Sequence, residues 1–215
     1  RLKEFYKEPK PFIKINNNKI IEIVLKNIKF DCNYLLVAQK LHSNKYNLPN
    51  IANKILSSFK IVDLDERTEG ATVSALKAKK YIDNDEELII INSDQYLEGE
   101  IEESINYFRS NNADGGILTT KKNNEKKWSY VQVNENGIAI KVAEKDPISD
   151  NATVGLYYFK KGSEFVKYAE QMINKNIRIN NEFYLCPVYN EFILGKKKIR
   201  IFEIKKLWPL GTYEE

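Results

Sequence analysis

The stretch TEGATVSALKAKKYIDNDEELIIINSDQYL, Thr68 to Leu97, reads as a turn, a helix and a strand in that order. Glu69 and Gly70 make the turn. Val73, Leu76 and Lys80 then fall on one side of a helix, which the polar run Asp83 to Glu87 ends. Leu88, Ile89, Ile90 and Ile91 form a short apolar run, the pattern of a strand buried on both faces. That strand stops at Asn92-Ser93-Asp94. In an open parallel sheet the carboxyl ends of the strands face the ligand crevice, which puts Asp94 where chemistry is usually done. The Gly70 turn is expected on the same edge. A bare backbone there can approach a flat base, and a carboxylate there can hold a cation on phosphate oxygens. The plain alternative for Asp94 is a strand-end aspartate that caps the next helix.

Toward the N-terminus, helices and short apolar runs alternate. Ile20, Ile21, Val24, Leu25 and Ile28 give a helical stripe after the turn Asn17-Asn18-Lys19. Tyr34–Ala38 reads as a strand. Gln39–Tyr46 and Pro49–Phe59 read as two short helices split by Asn47-Leu48-Pro49, and Lys60–Leu64 as another strand. This is the grammar of crossover units in a parallel sheet. Beyond Asp94 it changes. Ile101, Ile105 and Phe108 mark a helix, and Asp114-Gly115-Gly116 turns into the strand Ile117–Thr120. Trp128–Val133 and Ile138–Ala143 flank Asn136-Gly137, a strong hairpin signal. Glu144-Lys145 follows that hairpin, and Gly155 sits in the aromatic strand Ala152–Phe159. Phe165, Tyr168, Ala169, Met172 and Ile173 trace an amphipathic helix read as core. A last helix is expected over Leu185–Leu194 and a strand over Ile199–Ile204.

Composition bounds the class. A chain of 215 residues fits one domain, with 42% hydrophobic residues for a core and 30% charged residues to cover it. No apolar run approaches the ~20 residues of a membrane span, and no secretory leader is evident. The net charge of +4 suits a phosphate-bearing substrate, although solvated helix faces explain it equally well. Cys32 and Cys186 lie far apart with no CxxC spacing, as expected of reduced, partly buried thiols in a cytoplasmic protein. The lone His42, flanked by lysines, reads as a surface residue.

The order of Glu69–Thr72, Asp94, Glu144-Lys145 and the Gly155 strand resembles the nucleotidyltransferase family that makes activated sugars from a nucleoside triphosphate and a sugar phosphate. The resemblance runs through nearly the whole chain. It implies an α/β fold, a Rossmann-like three-layer sandwich whose central sheet is mostly parallel, with a small antiparallel section on the acceptor side. It implies a single domain over 1–215. It also implies that Glu69, Gly70 and Ala71 lie against the base and that Asp94 holds Mg2+ between nucleotide and acceptor phosphates. Arg1 matches the arginine that follows the family's glycine-rich loop, and Lys10 lies in the matching Pro-Lys-Pro segment. The first strand, that loop and the terminal helix are expected to be missing from the sequence as it stands, which would impair it. Glu144 is implied to bind acceptor hydroxyls and Lys145 the acceptor phosphate. Gly155 would leave room for the acceptor, and Glu182 is a further contact. An N-terminal-turn glutamate explains Glu182 equally well. Where relatives carry a second metal-binding aspartate before the terminal glycine, this chain has Pro209.

The implied reaction is transfer of a nucleoside monophosphate to a phosphorylated small-molecule acceptor, with CTP favoured over UTP or dTTP, for capsule or surface-polysaccharide precursors. Neither nucleic acid nor membrane is an expected partner, and a homo-oligomer is left open. Two other readings stand beside it. One is a glycosyltransferase of similar architecture, which would usually show two close acids where Asn92-Ser93-Asp94 has one. The other is a non-catalytic nucleotide-binding regulatory relative, favoured by Pro209.

Overall fold

The computed structural model describes residues 8–28, 30–99, 101–122 and 124–210. In chain order the elements are β1 (Lys14–Ile15), β2 (Asn18–Lys19), α1 (Ile20–Asn27), β3 (Tyr34–Gln39), α2 (Lys40–Lys45), α3 (Leu48–Asn53), β4 (Phe59–Leu64), α4 (Ala71–Leu76), α5 (Lys79–Ile82), β5 (Leu88–Ile91) and β6 (Gln95–Glu98). They continue with α6 (Ile101–Ser110), β7 (Gly115–Lys121), β8 (Ser129–Val133), β9 (Ala139–Glu144), β10 (Asn151–Phe159), α7 (Gly162–Asn174), α8 (Val188–Leu194), β11 (Ile199–Glu203) and β12 (Lys206–Pro209). Packing divides the chain into two compact units. One is drawn from Arg1–Arg67, Asn92–Gly99 and Lys206–Glu215, the other from Thr68–Ile91 and Glu100–Lys205.

In the first unit, Asn16 and Asn17 adopt φ of 47° and 70°, the left-handed pair that closes the β1–β2 hairpin. The chain then enters α1, where the Glu22 carboxylate accepts the Lys19 N–H at 2.6 Å and satisfies one orphan donor of the first turn. The stripe Ile20, Ile21, Val24, Leu25 and Ile28 is buried as its spacing requires. α2 and α3 lie between β3 and β4, which pair in parallel from Tyr34↔Phe59 to Gln39↔Leu64. Phe12, Ile21, Leu25, Leu48, Ile51, Ala52 and Leu56 form the core here, with Phe12 stacked on Tyr46 at 4.4 Å.

The second unit is a six-stranded mixed sheet in the order β11-β7-β10-β8-β9, with β5 also paired to β10. β11 runs parallel to β7, and the other pairs are antiparallel. All nine residues of β10 are buried. An aromatic layer covers the sheet: Phe159 stacks on Tyr189 at 5.0 Å, and Tyr168 meets Phe192 at 4.3 Å. The Tyr189 hydroxyl lies 2.9 Å from the Gly116 and Tyr158 carbonyls, so its polar end is satisfied inside the core.

The α/β class expected from the sequence is the class observed, in both units. Antiparallel pairing takes a larger share than expected, because β10 runs against β5, β7 and β8 alike. The helix after Gly70 is broken into α4 and α5, where the Lys77 N–H is shared between the Val73 and Ser74 carbonyls and Ala78 bonds three residues back. α8 begins at Val188, after Pro187, rather than at Leu185. Cys32 is exposed, Cys186 is buried, and both are free. No described helix is long and apolar enough to cross a membrane.

The ribbon β6–β12 had no counterpart in the sequence reading. It pairs Gln95↔Pro209, Tyr96↔Trp208 and Leu97↔Leu207. On its other side Asn27 acts as a substitute strand: its amide donates to the Leu97 carbonyl at 2.8 Å and accepts the Leu97 N–H at 2.9 Å. Asn27→Ala would leave both groups of a buried residue unpaired. A loss of about 2 kcal/mol in urea unfolding is expected; an unchanged midpoint would mean water replaces the clamp without cost.

Candidate functional site

In the first unit, Lys10 opens a single 3-10 turn bracketed by Pro9 and Pro11, so two pyrrolidine rings set the backbone around it. Buried Phe12 anchors that turn. The Lys10 ammonium lies 3.7 Å from Asp94 Oδ2, with both side chains partly open to water. Asp94 follows β5 in a turn and leads straight into β6, so no helix follows for it to cap. The Leu210 N–H donates to the Asp94 carbonyl at 2.9 Å, and Pro209 pairs with Gln95 next to it. The position where the resemblance expects a second acid therefore stands beside Asp94 and carries a ring without oxygen.

Among the described residues no cluster of three or more His, Cys, Asp or Glu is gathered to hold a metal ion. A lone carboxylate next to a lysine suits the way magnesium is commonly held, by one or two carboxylates with the rest of its shell from water and substrate phosphate.

In the second unit, Gly70 has φ 128° and ψ 174°, a conformation that L side chains rarely adopt. Its open side faces the chain itself: a Cβ there would come within 2.5 Å of the Phe183 carbonyl oxygen. Phe183 N–H donates to the Glu69 carbonyl at 2.8 Å, and Thr72 N–H donates to the Phe183 carbonyl at 3.0 Å. The Thr72 hydroxyl donates to the Tyr184 carbonyl at 2.7 Å. Glu69 is ion-paired with Arg178 at 2.6 Å, and that guanidinium lies 4.0 Å from the Phe183 ring centroid. Ala71 begins α4 and is exposed. Contact with the 178–184 segment is one visible reason for glycine at 70.

Glu144 ends β9 opposite Ser129, whose hydroxyl donates to its carboxylate. Burial pushes the Glu144 carboxyl up from its ordinary value, and the Lys145 charge opposes this. Strand β9 is held by Asn190, whose side-chain amide exchanges two 2.9 Å hydrogen bonds with the Val142 backbone. Lys145 has φ 58°, in the left-handed region, which turns it out of the strand. Its ammonium donates to the Tyr184 hydroxyl at 2.6 Å and lies 4.5 Å from that ring's centroid. Gly155, at φ 72°, sits where β10 shifts register against β7 between Thr153 and Tyr157. On its other edge β10 pairs with β8 before this bulge and with β5 after it.

Glu182 lies in a tight turn, well before α8. Asn180 and Asn181 take φ of 50° and 63°, and Ile179 and Glu182 exchange backbone hydrogen bonds across them. The N-terminal-turn explanation of Glu182 therefore fails. Tyr184, which sequence reasoning missed, accepts a hydrogen bond from Lys145, and burial, helped by the Glu182 charge, raises its phenol above the ordinary value. The signal was available in Asn180-Asn181, a dipeptide that favours a two-residue hairpin loop and so projects the next residues back into the unit. Arg1, Gly211 and Thr212 lie outside the described residues.

A family model described as nucleotidyl transferase matches residues 6–184, most of the chain, and the chain belongs to that family. The enzyme class read from the sequence is thereby borne out. Among solved structures, the nucleoside-diphosphate-sugar pyrophosphorylase from Vibrio cholerae RC9 is similar with a TM-score of 0.82 and 19% identity, over 99% of this chain and 91% of that one. A UDP-glucose pyrophosphorylase complexed with UDP-glucose gives 0.75 and 16%, over 97% and 88%. The inositol-1-phosphate CTP transferase from T. maritima gives 0.74 and 12%, over 96% and 82%. At these identities the likeness is one of fold. No curated protein sequence matches the chain.

Two outcomes are expected. Gly70→Ala forces a Cβ onto the Phe183 backbone, so a loss of about 2 kcal/mol or more is expected in urea unfolding; wild-type stability would refute the close contact. The Glu144 carboxyl, raised by burial, holds its proton more tightly folded than unfolded. Its contribution is most favourable below the unfolded value and declines as pH rises through the folded one. Glu144→Gln removes that decline, so the variant's Tm relative to wild type should be more positive at pH 7 than at pH 4. A constant difference would contradict the raised value.

Proposed function

We propose that this chain transfers a nucleoside monophosphate from a nucleoside triphosphate to a phosphorylated small-molecule acceptor, a sugar 1-phosphate or a small non-sugar phosphate. The acceptor's phosphate oxygen attacks the α-phosphorus in line. The bond from that phosphorus to the bridging oxygen breaks, and pyrophosphate leaves with its electron pair. The observation that carries the reading is the Lys10–Asp94 pair, a cation and a carboxylate brought within 3.7 Å by segments distant in sequence yet kept open to solvent.

Lys10 binds triphosphate oxygens and Asp94 would hold Mg2+, with Arg1 assigned to the same phosphates by the resemblance alone. Magnesium, when bound, would neutralise phosphate oxygens that otherwise repel one another. Lys145 neutralises the acceptor phosphate as a point charge. Glu144, partly buried and oriented by Ser129, accepts hydrogen bonds from acceptor hydroxyls, and Glu182 and Gly155 complete the acceptor side. Glu69, Gly70 and Ala71 present backbone to the base. Both units act as parts of one nucleotidyltransferase domain.

CTP is the favoured triphosphate, with UTP or dTTP next; the T. maritima neighbour is a CTP transferase and another neighbour a UDP-glucose pyrophosphorylase. Acceptors of the glucose 1-phosphate and inositol 1-phosphate kind are drawn from the same neighbours. A role in capsule or surface-polysaccharide precursors, and a cytoplasmic setting consistent with two free thiols, belong to the same proposal.

The test is pyrophosphate release with CTP, UTP and dTTP, each crossed with glucose 1-phosphate and inositol 1-phosphate in the presence of magnesium. Asp94→Asn should lower turnover by about 100-fold or more while leaving Tm near the wild-type value. Near-normal turnover in that variant would remove Asp94 from the reaction, and nucleotide binding without turnover in the wild type would favour a regulatory role.

A further inference from the structure

We infer that Tyr184 is a positioning residue for Lys145, holding its ammonium where the acceptor phosphate is to be met. The inference rests on the reading of Lys145 given above. It begins with the geometry of the lysine. A lysine ends in a flexible four-carbon stem, and an ammonium free to wander is a poor electrophilic anchor. Here the freedom is removed at both ends. The backbone of Lys145 is set in the left-handed region at φ 58°, with its N–H donated to the Trp128 carbonyl at 3.0 Å. The ammonium at the far end donates to the Tyr184 hydroxyl at 2.6 Å, beside the edge of that ring. The hydroxyl is therefore the group that acts on the cation.

Tyr184 is itself well fixed. Its carbonyl accepts the hydroxyl of Thr72, which is fully buried. The preceding residue, Phe183, is hydrogen-bonded on both sides to the Glu69–Thr72 loop and packed directly against Gly70. Two consecutive residues thus tie the proposed base-side loop to the proposed acceptor-side lysine within one unit. A neutral hydroxyl is suited to this work. It orients the ammonium without cancelling its charge, whereas a carboxylate in that place would compete with phosphate.

The test is a double-mutant cycle with Tyr184→Phe, which keeps the ring and removes only the hydroxyl, and Lys145→Ala. Initial rates are measured with glucose 1-phosphate or inositol 1-phosphate, whichever supports turnover. Tyr184→Phe should raise the acceptor KM or lower kcat by about tenfold, with triphosphate KM and Tm near wild type. The double variant should be no worse than Lys145→Ala alone. Independent effects that multiply would overturn the inference, because Tyr184 would then act without the lysine. A second readout needs no turnover: site-resolved acetylation by an amine-reactive ester, with exposed Lys141 as reference. Lys145 should be labelled faster in Tyr184→Phe than in wild type, and an unchanged rate would overturn the hold. If labelling accelerates while Lys145→Ala leaves acceptor kinetics intact, the role assigned to Lys145 fails and the inference falls with it.

Discussion

The second unit depends on one steric constraint, the absence of a side chain at residue 70. Gly70 brings its backbone against that of Phe183, and any Cβ would overlap the Phe183 carbonyl. Two backbone hydrogen bonds, the Glu69–Arg178 ion pair and the Thr72–Tyr184 bond then close around that contact. The loop before α4 and the Asn180-Asn181 turn are thereby made one piece. Everything proposed for the base side and for Lys145 inherits its position from this junction. A glycine that sequence reading assigns to ligand approach is, in the folded chain, first a requirement of the chain's own packing.

A second device recurs in both units. Asn27 and Asn190 each use a side-chain amide to satisfy the N–H and C=O of a single strand residue, Leu97 and Val142. An unpaired buried backbone group is costly, and a short strand beside a helix has no neighbour to satisfy it. One asparagine projecting from a helix does what another strand would do. The clamped strands matter here: Asp94 directly precedes β6, and Glu144 ends β9.

Much of this was legible in the sequence, and the reasons differ by element. The α1 stripe and the β3 and β4 runs follow from period and burial, which are properties of local sequence. The β6–β12 ribbon was not legible, because Gln95-Tyr96-Leu97-Glu98 and Lys206-Leu207-Trp208-Pro209 are strands only through each other and Asn27. Gly155 could be named but not explained, since its bulge exists only against β7. Tyr184 escaped for a related reason. Nothing local marks a tyrosine as the partner of a lysine at 145, and their meeting depends on two asparagines in left-handed conformation.

The ion pairs of the fold offer an internal standard for judging Lys10 and Asp94. The pairs that grip most firmly here are short and hydrogen-bonded. Lys175 meets buried Glu191 at 2.7 Å, and Arg109 grips Glu87 through Nε at 3.0 Å to each oxygen while Tyr158 donates to the same carboxylate. The Arg109 charge and the Tyr158 hydroxyl hold Glu87 below the usual carboxylate range despite the opposing effect of burial. Lys10 and Asp94, no more exposed than Arg109 and Glu87, instead stand 3.7 Å apart, beyond hydrogen-bond length. A loose, wet pair of that kind adds little to stability. It leaves each group free to exchange its partner, the lysine for a phosphate oxygen and the carboxylate for a cation. Pro209 sharpens the point: it places no acid beside Asp94, and among the described residues no cluster of three or more metal-binding side chains is gathered. On the function proposed above, the metal would enter with the triphosphate, whose own oxygens would complete its shell.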